Sequence, residues 1–216
     1  MFPLKSPYLM IINGKQGSGK SHFITYMMRE NMLSDNKFDY GIVFSNTSWE
    51  NSAWNFLPGE YVYEEYNEKV LENLVKLQKK NLANDINTFA FVIFDDALDD
   101  KHQFTSVVLK KLSVQLRHYN ISLIISSQYP HLIPPRIRAN TMYAIFFDIG
   151  SGVRELEALY NAYGQRFKNY ADFKEFYYKN IDDHKFIMYD KDIDKYCTYR
   201  CPEKIPEFSF TFNKKK

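Results

Sequence analysis

Gly14, Gly17 and Gly19 lead into Lys20 and Ser21 in the run Gly14-Lys15-Gln16-Gly17-Ser18-Gly19-Lys20-Ser21. This fits the spacing G-x-x-x-x-G-K-[ST] at every fixed position. Each residue type suits one part of a polyphosphate. Glycines let the backbone turn tightly with its N–H groups inward, and Lys20 brings a point charge to the β- and γ-phosphates. Ser21 offers a hydroxyl to Mg2+, and the helix that follows directs its positive dipole end at the anion. Residues 14–21 are therefore expected to bind nucleotide phosphates.

A second chemical signal is Phe89-Ala90-Phe91-Val92-Ile93-Phe94-Asp95-Asp96. An unbroken apolar run suits a strand buried on both faces of a parallel sheet. Its two terminal carboxylates suit a phosphate-loop site, which needs an acidic residue on a neighbouring strand tip. Asp95 fits the Mg2+ ligand and Asp96 the group that orients and deprotonates an attacking water. Asp99 and Asp100 fit a turn or helix cap. A third polar feature, Gln128, ends the apolar run Ile121–Ser127.

These features need elements to place them. Tyr8–Ile12 reads as a short buried strand, and a helix with Phe23, Ile24, Met27 and Met28 on one stripe follows the loop to about Glu30. Phe38–Phe44 reads as a second strand before a polar turn at 45–48, and Tyr61–Tyr66 as a short third. Asn67–Asn81 carries an amphipathic helical pattern, with lysines toward its end where they suit the dipole. A helix over 103–119, the strand to Ser127, a proline-bearing loop and a strand over 142–149 complete a strand–helix alternation. Trp49 and Trp54 fit either core cover or contact with a nucleotide base.

The alternation predicts an α/β domain whose mostly parallel central sheet is covered by helices on both faces. Ligand then lies at the carboxyl ends of the strands, where 14–21, Asp95, Asp96 and Gln128 all fall. Residues 1–150 form the core of this reading. Residues 151–216 add helices over about 153–163 and 170–179, a hairpin over 185–199 and a basic tail to the same domain.

The 216 residues suffice for one sizeable core, and a net charge of +2 gives no global basic signature, so any nucleic-acid contact must be local. The best basic segment is 195–216, with six Lys/Arg against two Glu. It fits a solubilising tail and nucleic-acid contact equally. No apolar run approaches the ~18–20 residues of a membrane span, and cleavage of the first apolar stretch as a signal peptide would destroy the phosphate loop. Cys197 and Cys201 would lie ~13 Å apart along a continuous strand, too far for a disulfide. Free thiols in a reducing compartment are expected.

The stretch Leu116–Asn140, LRHYNISLIISSQYPHLIPPRIRAN, carries an Arg-His pair, an apolar strand ending in Gln, a proline-bearing loop and Arg-x-Asn. Together with the phosphate loop and the Asp-Asp strand, residues 8–150 resemble the poxvirus-type genome-packaging ATPases of large eukaryotic DNA viruses and virophages, within the FtsK/HerA superfamily of DNA translocases. The resemblance implies a RecA-like P-loop NTPase fold of the ASCE type, with the Gln128 strand between the phosphate-loop strand and the Asp95 strand. It implies that Gln128 senses the γ-phosphate and that Arg117 is an arginine finger inserted into a neighbouring subunit of a ring, a hexamer. Arg136 and Arg138 are rivals for that role or for phosphate-backbone contacts. Asp96 departs from the Glu of many superfamily members and is one methylene shorter.

The resemblance further implies ATP and Mg2+ as cofactors, double-stranded DNA held by its phosphates without sequence reading, and a capsid or portal protein as partner. It places the protein in the host-cell cytoplasm, at the viral factory, and in the virion. A cellular FtsK/HerA-type translocase, a P-loop small-molecule kinase and a non-hydrolysing switch or scaffold are the alternatives. A kinase would need an Arg-rich lid, for which only Arg136–Arg138 offers a counterpart.

Overall fold

Strands that are apolar on both faces need cover on both, and that need sets the layering of this chain. A computed structural model describes residues 4–33, 38–47, 52–98, 102–182 and 184–210. The strand β1 (Leu9–Asn13) leads through the glycine-rich loop into α1 (Lys20–Leu33), followed by β2 (Tyr40–Ser45), β3 (Val62–Tyr63) and α2 (Glu68–Ala83). Next come β4 (Ala90–Asp95), α3 (Val107–Tyr119), β5 (Ile121–Ser127), α4 (Pro135–Ala139) and β6 (Tyr143–Phe146). The helices α5 (Val153–Tyr163) and α6 (Tyr170–Asn180) precede a hairpin of β7 (Lys185–Asp190) and β8 (Lys195–Arg200).

One eight-stranded sheet has the order β3-β2-β4-β5-β1-β6-β7-β8. It is parallel from β3 to β6, and the hairpin adds antiparallel to β6. The fold is the expected P-loop α/β architecture, and β5 lies between β1 and β4, which puts Gln128 beside both the phosphate loop and Asp95.

Side chains alternate across each strand, and the two faces fill two cores. Met10 and Ile12 pack with Phe23, Ile24, Met27 and Met28 of α1. Leu9 and Ile11 face the other way, toward Leu71 and Leu74 of α2 and Leu109, Leu112 and Leu116 of α3. A third cluster joins Phe146 and Ile187 to α5 and α6 through Leu156, Leu159, Phe173 and Tyr177. The helical stripe after the phosphate loop is core, and so is Trp54. Trp49, Asp99, Asp100 and Lys214–Lys216 lie outside the described residues.

Three boundaries differ from the sequence reading, each for a local reason. The helix expected over 103–119 is split, because the Ser106 hydroxyl accepts from Leu109 N and caps α3 after a separate 3-10 turn. The third strand shrinks to two residues between a 3-10 turn over Gly59–Tyr61 and α2, whose cap is Asn67. The strand expected over 142–149 leaves the ladder after Phe146. The Tyr177 hydroxyl of α6 then satisfies the backbone, donating to Phe147 O at 2.6 Å and accepting from Ile149 N at 3.1 Å. Cys197 and Cys201 are free thiols, and burial pushes Cys201 up to about 12.

Candidate functional site

The carboxyl edge of the sheet gathers the polar residues because the register puts them side by side. Ser45, Asp95 and Ser126 are direct neighbours across β2, β4 and β5, and Ser126 pairs in turn with Ile12 of β1. The loop between β1 and α1 turns with Gly17 at φ 73° and Gly19 at φ 98°, a region that glycine alone enters without penalty. A Cβ on Gly14 would come within 2.4 Å of Ser18 Oγ and 2.7 Å of Phe147 Cβ, so the loop seats directly on that residue. Backbone from beyond β6 fixes its outer edge. Lys15 N donates to Asp148 O at 2.7 Å, and the Lys15 ammonium pairs with the Asp148 carboxylate. Burial alone would raise Asp148, but Lys15 and the Gly150 N–H hold it below the usual carboxylate range.

Lys20 is 5% exposed, so its charge needs compensation inside the protein. It donates to Gly14 O at 3.0 Å and Lys15 O at 3.2 Å, and lies 3.2 Å from Asp96 Oδ2. Gln128 Nε2 donates to that same oxygen at 3.2 Å. Asp96 sits just past β4 at φ 49°, in the left-handed region, and its carbonyl accepts from Asn46 Nδ2.

Asp95 lies between two hydroxyls. Ser126 Oγ donates to Oδ1 at 2.6 Å and Ser21 Oγ donates to Oδ2 at 2.7 Å. Burial pushes the Asp95 carboxyl above the usual range. The two hydroxyls hold it down, Asp96 adds to the rise and Lys20 opposes it. Ser21 Oγ and Asp95 Oδ2 are adjacent hard oxygen donors, and both fit Mg2+. Among the described residues no three His, Cys, Asp or Glu side chains gather as a metal cage.

The structure thus brings together Lys20, Ser21, Asp95, Asp96 and Gln128, with Gln16, Gly17 and Gly19 beside them on a cleft of about 1190 Å³. It does not bring Arg117 there. Arg117 is exposed on the last turn of α3, just before β5, whose far end carries Gln128. Seven residues of strand span roughly 23 Å, so Arg117 stands at the opposite edge of the sheet from its own phosphate loop. Arg136 is exposed on α4, and Arg138 donates to Ala158 O of α5.

Sequence reasoning missed Ser126, Asn46, His22 and the segment 205–208, which lines the cleft together with Ser52, Ala53, Asn55 and Phe56. Ser126 had left a signal, a hydroxyl in a strand buried along its whole length, where burial obliges it to find a partner.

Protein 075L of Invertebrate iridescent virus 6 is 27% identical to this chain over 183 residues, which are 84% of this chain and 69% of the relative. In structure, the genome packaging NTPase B204 of Sulfolobus turreted icosahedral virus 2, solved with AMPPCP, matches with a TM-score of 0.66 at 19% identity. The match covers 91% of this chain and 99% of B204. The cytoplasmic domain of the Type VII secretion ATPase EccC from Thermomonospora curvata matches with a TM-score of 0.61 at 11% identity, over 92% of this chain and 26% of that one. At these identities both structures speak for the fold. The family model described as Poxvirus A32 protein matches residues 3–163. That match spans most of the sequence and includes every residue gathered at the cleft's phosphate end, so the chain belongs to the poxvirus A32 protein family.

Proposed function

We propose that this protein is an Mg2+-dependent ATPase that drives double-stranded DNA into a viral capsid. The carrying observation is the pair of carboxylates at the end of β4. Asp95 is joined to the Ser21 hydroxyl and Asp96 to the Lys20 ammonium, with Gln128 on the same Asp96 oxygen. Family membership and the fold shared with the packaging NTPase B204 support the reading.

In this reading the loop N–H groups and Lys20 bind the β- and γ-phosphates, and Ser21 and Asp95 hold the metal. Held there, Mg2+ would neutralise negative charge on the phosphates. A γ-phosphate competes with Asp96 for Lys20, and as the ammonium turns to the phosphate, Asp96 is released to accept the proton of an attacking water. Gln128, already tied to Asp96, registers whether that oxygen is engaged. The water oxygen bonds to the γ-phosphorus as the bond to the ADP oxygen breaks, leaving phosphate and ADP.

Arg117 stands at the opposite edge of the sheet from its own site, which favours a ring in which it stabilises the transferring phosphoryl of a neighbour. We take that ring to be a hexamer around DNA held through its phosphates, docked on a capsid or portal protein in the cytoplasm of the infected cell and carried into the virion. Turnover should be measured with Mg2+ and double-stranded DNA at concentrations where rings form. Hydrolysis that DNA stimulates supports the motor. No hydrolysis in assembled rings would rule it out.

A further inference from the structure

The cleft is longer than its phosphate end. Past Ser21 it runs between two walls that the first turns of α1 hold in place. His22 Nε2 donates to Pro202 O at 2.7 Å, and Thr25 Oγ lies 3.0 Å from Ala53 O. Residues three apart on a helix share a face, so one face of α1 carries both walls. The first wall is the turn Ser52–Phe56. The second is the C-terminal segment, pinned again beyond the cleft where Phe210 N donates to Phe56 O at 2.6 Å and the Phe210 ring packs on Phe91. Between those pins Ile205, Pro206, Glu207 and Phe208 line the cleft.

The walls have a definite chemistry. Phe208 stacks on Phe56 with centroids 4.7 Å apart and planes 17° apart, and the pair lines the same cleft as Ala53, Ile205 and Pro206. Aromatic and flat apolar surface suits a planar heteroaromatic ring, and Asn55 and Glu207 supply polar groups for its edge. The opening begins at Ser21, where a phosphate chain seated on the loop would hand over to its nucleoside.

We propose that Ser52–Phe56 and Ile205–Phe208 form the nucleoside slot of this site, so that the C-terminal segment is a substrate-binding wall. The proposal rests on the phosphate-binding reading of residues 14–21. It replaces the tail's role as a solubilising or nucleic-acid-binding extension for residues 202–210, and it makes His22 the link between phosphate loop and slot.

The test compares ATP with inorganic tripolyphosphate, which shares the phosphates and lacks the nucleoside. Binding of each with Mg2+ is measured by calorimetry on wild type, Phe208→Ala and Ile205→Ala. Loss of a stacking surface should weaken ATP on the order of tenfold in Phe208→Ala, with a smaller loss in Ile205→Ala and tripolyphosphate affinity unchanged in both. Unchanged ATP affinity in both variants would overturn the slot while the phosphate site stood. A parallel loss of both ligands would also overturn it, by showing that the segment only supports the fold. Failure of wild type to bind either ligand would overturn the phosphate-site reading and the slot with it.

Discussion

The Lys20 ammonium and Gln128 Nε2 both lie 3.2 Å from one oxygen of Asp96, so a single carboxylate oxygen joins the phosphate loop to the strand between β1 and β4. If Asp96 is the base, Asp96→Asn should lower kcat by about 10²–10⁴ and leave ATP affinity near wild type. Gln128→Ala should lower kcat as well, with the Lys20 contact to Asp96 intact. Single-turnover hydrolysis beside equilibrium binding separates these effects. A full-rate Asp96→Asn enzyme would remove Asp96 from the chemistry.

Asp95 carries an opposing pair of expectations. Its carboxyl is raised in the folded chain, so between the unfolded and folded values the native state holds more proton than the unfolded one. Stability therefore rises as pH falls through that window, and the ionised group is a cost at neutral pH. Asp95→Asn should thus melt later than wild type while losing hydrolysis. In wild type, activity should fall on acidification at a pH above the ordinary carboxylate range, and raising Mg2+ should move that limb to lower pH by competing with the proton. A limb indifferent to Mg2+ would argue against Asp95 as a ligand.

Arg117 can serve only a second copy's site if it serves one at all, given its place at the far edge of the sheet. Arg117→Ala rings should hydrolyse ATP about 10³-fold more slowly. Mixing them with Lys20→Ala subunits should restore part of the rate, because each variant then supplies what the other lacks. If mixing restores nothing, the finger assignment fails. If Arg136→Ala alone shows the complementation, the assignment moves to α4.

Gly41 offers a stability test away from the chemistry. A Cβ there would stand 2.5 Å from three atoms of the Phe91 ring, which is fully buried and also packs on Phe38 and Phe210. Gly41→Ala should cost about 1–3 kcal/mol in denaturant unfolding. Gly59→Ala, where nothing lies within 4 Å of the added carbon, should be close to neutral.

Much of the phosphate end could be read from the chain because its residue types are local and consecutive. Gly14–Ser21, the apolar run into Asp95 and Asp96, and the strand ending at Gln128 each declare an element and its polar tip together. The residues that escaped reading act through distant partners. Ser126 matters because register sets it against Asp95, and Asn46 because β2 ends beside β4. Ile205–Phe208 reach the cleft through anchors at His22 and Phe56 that no local pattern announces. The strand expected to run to Ile149 stopped at Phe146 for the same reason, since the hydroxyl that replaces its ladder comes from Tyr177.

That tyrosine ties the order of synthesis to the order of completion. The phosphate loop is made well before its seat, Phe147 and the Asp148 backbone, and α6 must emerge before Tyr177 can hold that backbone in place. A nascent chain paused after α5 would carry the whole nucleotide motif with its support unfinished. The part of the site that is made first is therefore completed only once α6 has followed it.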